Sequence, residues 1–273
     1  MHSANFLSFI LFILFDLCVC EQFKISTQHG EIEGEQVKNG QINYIKYLGI
    51  PYAQPPIGDL RFMLPKPVEG RVNQKKKYDM CLQKSSKNSN GLQGQEDCLY
   101  LNVYTPIKNS TGMGYKVMVW IHGGNFDSGS GTSDFNPDFL VHEEVIVVTF
   151  NYRLGVFGFL SLQNEAIPGN MGLRDQIMAL TWVQKNIQNF GGDPYGITLF
   201  GTDAGAASIH YLLMSEKANY LFNRAILQSG SAYSPWALQT NVFEVRVYFF
   251  NFQQIVVVNG FLFLAHKKLF NQS

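Results

Sequence analysis

The sequence has no excess of charge of either sign: Lys plus Arg and Asp plus Glu are 21 each in 273 residues. A chain without a net field has nothing with which to gather nucleic acid, an anionic membrane surface or an acidic ligand, so no nucleic-acid partner is expected. The run Lys75-Lys76-Lys77 reads as a solvated loop. Cysteine is scarce, at four. No Cys or His pair stands at zinc-ligand spacing, so neither metal nor cofactor is implied. Internal repeats and a linker between domains are also lacking, which leaves one domain as the reading of a chain that is 46% apolar.

What is present begins with a leader. MHSANFLSFILFILFDLCVC, residues 1 to 20, carries an apolar stretch from Phe6 to Phe15 and small residues Cys18 and Cys20 just before Glu21. It reads as a cleaved signal peptide, with an uncleaved anchor as the alternative, although the run is too short to span a bilayer comfortably. Export places the chain outside the cell, in an oxidising compartment. Cys81 and Cys98 then remain, either as one disulfide or as two buried thiols. Asn109-Ser110-Thr111 becomes a glycosylation sequon in a polar loop.

From Glu21 onward strand-like and helix-like segments alternate, the pattern of an α/β sheet with helices packed on its faces. Lys116 to Ile121, Val145 to Asn151, Ile197 to Phe200 and Ala225 to Gln228 are the clearest strands, near-continuously apolar as strands covered on both faces are. Leu173, Ile177, Leu180, Val183, Ile187 and Phe190 recur at steps of three or four and define a helix face, ended by Gly191-Gly192. Asp193-Pro194 is read as the turn into the next strand. The tail 242–273 changes character, rich in Phe and Val without a clean period, and is read as lying outside the fold. Asn251, Gln253, Gln254, Asn259 and Gly260 make Val247 to Ala265 a poor membrane span. Membrane association is therefore not expected, and the tail, followed by His266-Lys267-Lys268, is the one segment that would supply it.

The chemistry gathers at Gly201-Thr202-Asp203-Ala204-Gly205, between a strand and a helix, Ala206 to Met214. Glycines at both ends permit a sharp turn that exposes the central side chain at the top of the sheet, as a nucleophile elbow does. The amide of Ala204, at the helix start, points toward an oxyanion.

Around this turn, LGIPYAQPPIGDLRF (Leu48 to Phe62), EDCLYLNVYTP (Glu96 to Pro106), VWIHGGNFDSGSG (Val119 to Gly131), NYRLGVFGFLS (Asn151 to Ser161) and the stretch from Gly169 to Gly201 closely resemble the type-B carboxylesterase and cholinesterase family, in order from about Phe23 to Leu238. The resemblance implies an α/β-hydrolase fold, with a mostly parallel central sheet and helices on both faces. The family-like stretch, 21–241, would be its N-terminal part, stopping after the elbow helix and the strand that follows. It assigns the amides of Gly124 and Asn125 to the oxyanion hole with that of Ala204, although Asn125 stands where the family often has Gly or Ala. Cys81 and Cys98 match the family's first disulfide, across a short loop. His122 belongs to the oxyanion motif and is not the base, and His210 is read as structural.

The departures concern catalysis. Where the family has Glu-Ser, this chain has Thr202-Asp203. The acid and the histidine follow the nucleophile far downstream in this fold, and the sole histidine beyond the elbow helix is His266 in the tail. Three functional readings follow. One is a secreted or surface binding protein without catalysis, similar to neuroligins and other cholinesterase-like adhesion molecules, with an extracellular protein or a small ester-like molecule as partner. Another is a hydrolase with Asp203 as a carboxylate nucleophile. The third is an incomplete product of a carboxylic ester hydrolase gene.

Overall fold

A computed structural model describes residues 23–71, 74–75, 79–85, 91–107, 112–132 and 135–238, and the backbone of 255–258 and 261–264. The leader 1–20, Lys76, Lys77, Asn109, His266 and most of the tail lie outside the described residues. In chain order the strands are β1 (Phe23–Thr27), β2 (Gly30–Asn39), β3 (Ile42–Pro51), β4 (Gln83–Lys84), β5 (Leu92–Gln93), β6 (Tyr100–Pro106), β7 (Tyr115–Ile121), β8 (Ile146–Phe150), β9 (Gly192–Thr202), β10 (Arg224–Gln228), β11 (Ile255–Val258) and β12 (Phe261–Leu264).

Eight of them form one sheet in the order β1-β2-β3-β6-β8-β7-β9-β10. The sheet has two characters. From β1 to β8 neighbours run antiparallel, while β8, β7, β9 and β10 are mutually parallel. The antiparallel half begins at a partly solvated edge: β2 reads GEIEGEQVKN, and only Ile32 in it is buried. The centre of the parallel half is covered on both faces, but its edge strand β10 is not as expected from its apolar run: no residue of Arg224–Gln228 is buried, and Ile226 is exposed, because β10 has a neighbour only at β9 among the described strands. β8 is buried at every position.

Alternation along the strands separates the two faces. Val117, Val119 and Ile121 of β7 with Ile146, Val148 and Phe150 of β8 enter the main core, against Ala179, Leu180 and Val183 of the long helix and Ile187 just after it. The long helix spans Met171–Asn186. The elbow helix, Ala204–Leu213, packs on the same face, and Gln176 Nε2 donates to Ser208 Oγ between the two helices at 3.0 Å. On the opposite face Val147 joins Tyr44, Tyr104 and Val141 of the short helix Asp138–His142. Trp120 stacks there on Phe135, with ring centroids 4.9 Å apart.

Local sequence explains the ends. Gly191 takes φ 83° and closes the turn that follows the long helix, in the left-handed region that glycine enters freely. Asp193-Pro194 does not precede the strand as expected. It lies inside β9, where the pairing with β7 shifts between Tyr115 and Val117, and Asp193 Oδ1 accepts from the Tyr195 amide at 2.9 Å. The neighbour β7 therefore pairs on both sides of a local bulge. In the tail, β11 and β12 pair antiparallel with Val258 opposite Phe261. Between them the sequence reads Asn259-Gly260, a two-residue hairpin signal.

Two constraints tie this frame together. Cys81 and Cys98 are joined as a disulfide with Cα atoms 5.0 Å apart. Arg153, just after β8, grips Asp175 of the long helix with Nε and Nη2 at 2.8 and 2.7 Å and gives its Nη1 to the carbonyl of Met63 at 2.7 Å. Asp175 is fully buried. A buried pair of this kind contributes little over an apolar substitute, but removing one partner strands the other charge.

Asp175→Asn is expected to destabilise the fold by about 3–5 kcal/mol in urea unfolding; a loss within about 0.5 kcal/mol, the range of ordinary surface changes, would show the pair to be dispensable. Gly205→Ala is expected to cost about 3 kcal/mol, the upper end for overpacking, because an added Cβ would stand 2.0 Å from the carbonyl oxygen of Ile121. An alanine variant as stable as the parent would contradict that contact.

Candidate active site

β7, β9 and β10 end side by side at one edge of the sheet. After β7 the chain passes to β8 on one side and after β9 to β10 on the other, so the connections leave these two neighbouring strands in opposite directions. Crevices in open α/β sheets form outside the carboxyl ends of strands at such a switch point. Into this one come His122 to Phe126 after β7, Thr202 to Ala204 after β9, and Ser229 to Ala232 after β10.

Asp203 heads the elbow helix with φ 52° and ψ −120°. Few L-residues occupy that region, and holding one there costs of order 1–3 kcal/mol, which the surroundings must supply. They do so through the backbone. The Asp203 amide donates to the carbonyl of Gln228 at 3.0 Å, and its own carbonyl accepts from Ala207 in the first turn of the helix at 3.0 Å.

The facing loop is equally constrained. Gly124, Asn125 and Phe126 take φ of 102°, 52° and 62°. Asparagine tolerates the left-handed region better than most residues, so Asn125 keeps the loop shape without a glycine. The Gly124 carbonyl accepts from the amides of Asp127 and Ser128 at 3.0 Å each, and Tyr152 Oη donates to the carbonyl of His122 at 2.9 Å. With their carbonyls held away, the amides of Gly124 and Asn125 are turned toward the elbow.

What they meet there is the side chain of Asp203. Its Oδ2 accepts from Gly124 N at 2.8 Å and from Asn125 N at 2.9 Å. Partial burial works against the charge, but the amides of Asn125, Ala204 and Gly124 outweigh it and hold the carboxyl below its ordinary range. All three amides named from the sequence thus converge on one carboxylate. Nearby, burial pushes the Asp127 carboxyl up, and the Asp203 charge adds to that rise.

The two histidines at this end of the sheet are turned to other tasks. His122 is buried, lies 4.3 Å from Tyr152 in a stacked pair, and sets Nδ1 2.9 Å from the Gly123 carbonyl. His210, on the elbow helix, sets Nδ1 3.1 Å from Ser231 Oγ and 3.3 Å from the Ala232 amide, with its ring edge-to-face on Tyr233. Among the described residues no three Cys, His, Asp or Glu side chains come together as a metal site would need. The buried Arg153–Asp175 pair and the bulge in β9 had no signal in the sequence.

Residues 21–260 match the carboxylesterase family. Among curated proteins the chain is 45% identical over 222 residues to a carboxylic ester hydrolase of Bombus ignitus, covering 78% of this chain and 40% of that protein. It is 45% identical to the juvenile hormone esterase of Tribolium castaneum, over 82% of this chain and 39% of the relative. With the cholinesterase of Mus musculus it shares 42% identity over 84% of its length and 42% of the relative's. The chain thus spans about two fifths of the length of these relatives. Among solved structures, the juvenile hormone esterase of Manduca sexta with OTFP covalently attached superposes with a TM-score of 0.76 at 38% identity, over 84% of this chain and 46% of that one. With the α/β-hydrolase sheet, the sharp turn after β9 and the glycine-rich loop after β7 already in place, these matches settle its kinship: the chain belongs to the carboxylesterase family.

Proposed function

We propose that this chain is an exported carboxylesterase-family scaffold that does not hydrolyse esters and acts by binding. The observation that carries the reading is the contact of Asp203 Oδ2 with the amides of Gly124 and Asn125. An ester carbonyl needs those amides free, because its oxygen becomes an anion as a nucleophile adds to the carbon. A single such donor is worth about 3 kcal/mol of transition-state stabilisation. Here the donors already satisfy a carboxylate that is part of the protein. An incoming oxyanion would have to displace it and then sit beside its charge.

Export is supported by the apolar leader, by the Cys81–Cys98 disulfide, and by the sequon at Asn109 in residues outside the described set. No described helix is long and apolar enough to cross a membrane. The partner in this reading is an extracellular protein, or a small ester-like molecule held without turnover. A second reading, a working carboxylic ester hydrolase, is favoured by the esterase names of the relatives at 42–45% identity. Turnover separates the two.

The full chain is expected to release p-nitrophenol from p-nitrophenyl butyrate no faster than its Asp203→Asn variant does. A rate more than about a hundredfold above that variant, the worth of one oxyanion donor, would establish the hydrolase instead. Acid stability offers an independent check. Asp203 has a folded pKa below its ordinary value. Its contribution is therefore complete above about pH 4, the unfolded pKa, and is lost as pH falls through the folded pKa. Asp203→Asn should show a shallower loss of urea stability than the parent between about pH 5 and pH 2. Parallel losses in the two proteins would mean that the amides do not hold the carboxylate.

A further inference from the structure

The loop that presents the amides of Gly124 and Asn125 holds three successive residues in the left-handed region. Such backbone persists only where the surroundings over-determine it. Part of that restraint is internal, in the bonds of Asp127 and Ser128 to the Gly124 carbonyl. The chain then doubles back. Gly129 passes so close to the start of the loop that an added Cβ would collide with Nδ1 of His122 and stand 2.6 Å from the Gly123 carbonyl oxygen. Whatever fixes Gly129 therefore fixes the bend.

That restraint comes from Gln83. Its Nε2 donates to the Gly129 carbonyl at 2.8 Å, while its Oε1 accepts from the Gly129 amide at 2.9 Å. A carboxamide carries donor and acceptor in one plane, so it meets the N–H and C=O of one residue as a neighbouring strand would. Nε2 also donates to the Cys81 carbonyl at 3.0 Å, and the side chain is buried.

Gln83 is itself anchored. It pairs with Gln93 across β4 and β5, the Leu82 amide donates to the Gln95 carbonyl at 3.1 Å, and the Cys81–Cys98 disulfide closes the segment. A second side-chain amide joins the same two regions: Asn151 Oδ1 accepts from the Gly131 amide at 2.8 Å and its Nδ2 donates to the Asp79 carbonyl at 3.1 Å. The disulfide-closed segment thus grips the return limb of the loop through both Gln83 and Asn151.

We propose that Gln83 is a positioning residue for the amides of Gly124 and Asn125, aiming them at the elbow by clamping the loop at Gly129. The role holds whether those amides serve a carboxylate of the protein or the oxygen of a ligand. A glutamine that merely stabilised the fold would be felt everywhere in it. A positioning one is felt in the loop.

The test is amide hydrogen exchange, read by NMR, on the full chain and on Gln83→Met, which keeps the reach of the side chain and removes its three bonds. Exchange at Gly124, Asn125, Asp127 and Ser128 should rise at least about tenfold, the effect of a lost buried hydrogen bond on local opening. The amides of β8 should keep the parent's rates. Asp127 and Ser128 report on the loop through their bonds to Gly124, so the outcome does not depend on what Asp203 does. Gln83→Glu, which retains an acceptor for the Gly129 amide, should raise exchange at the same four amides, and it decides the matter if the methionine variant does not fold. A rise shared equally by β8, a rise confined to Gly129, unchanged loop exchange, or failure of both variants to fold would overturn the proposal.

Discussion

The backbone crossing between the end of β7 and the start of the elbow helix sets everything else at this site. The Ile121 carbonyl lies so close to Gly205 that a Cβ there would fall 2.0 Å away. Only a hydrogen fits. That approach brings the strand-to-loop turn after β7 against the strand-to-helix turn after β9, and it is main chain against main chain. Donors fixed in this way do not depend on which side chain stands at position 203. The hole is a property of the sheet and its two turns, and the residue placed before it decides what the hole is used for.

An aspartate in that place changes the use by reach and by charge. A serine would hold its oxygen one bond from Cβ, ahead of the amides. The carboxylate extends one atom further, enough to bring Oδ2 back to 2.8 and 2.9 Å from Gly124 and Asn125. Hydrogen bonds from backbone amides to an ionised acceptor are about twice as strong as neutral ones. They relieve both the desolvation of Asp203 and the strain of its φ of 52°. The donors that would lower an acylation barrier are thereby spent on the ground state, and catalysis depends on interactions that are stronger in the transition state.

Much of this was legible in the sequence, for identifiable reasons. The central parallel strands were visible because strands covered on both faces are nearly all apolar, as Val117 to Ile121 is and Ile146 to Phe150 is but for Thr149. The long helix declared itself by its period and by the glycine after it. The elbow and its three amides followed from glycine spacing and family resemblance. β1 to β3 were harder to see, since GEIEGEQVKN is half solvent-facing and pairs with partners that its own pattern does not name. Arg153 and Asp175 lie 22 residues apart, and nothing in their local pattern marks them as a pair. Side-chain reach was another matter: the lodging of the carboxylate on the very amides required coordinates.

On the proposed reading, silence toward esters has two independent layers. The first is the occupied hole, which one substitution at Asp203 would empty, since the amides are aimed by the Gly205 crossing and by the Gly124 carbonyl's own bonds to Asp127 and Ser128. The second concerns proton transfer. A serine restored at that position would need an imidazole within about 3 Å to take its proton. His210 has its Nδ1 turned to Ser231 and Ala232, and His122 is stacked beneath the loop on Tyr152. Opening the hole would therefore yield an anion-binding turn before it yielded an esterase among the described residues.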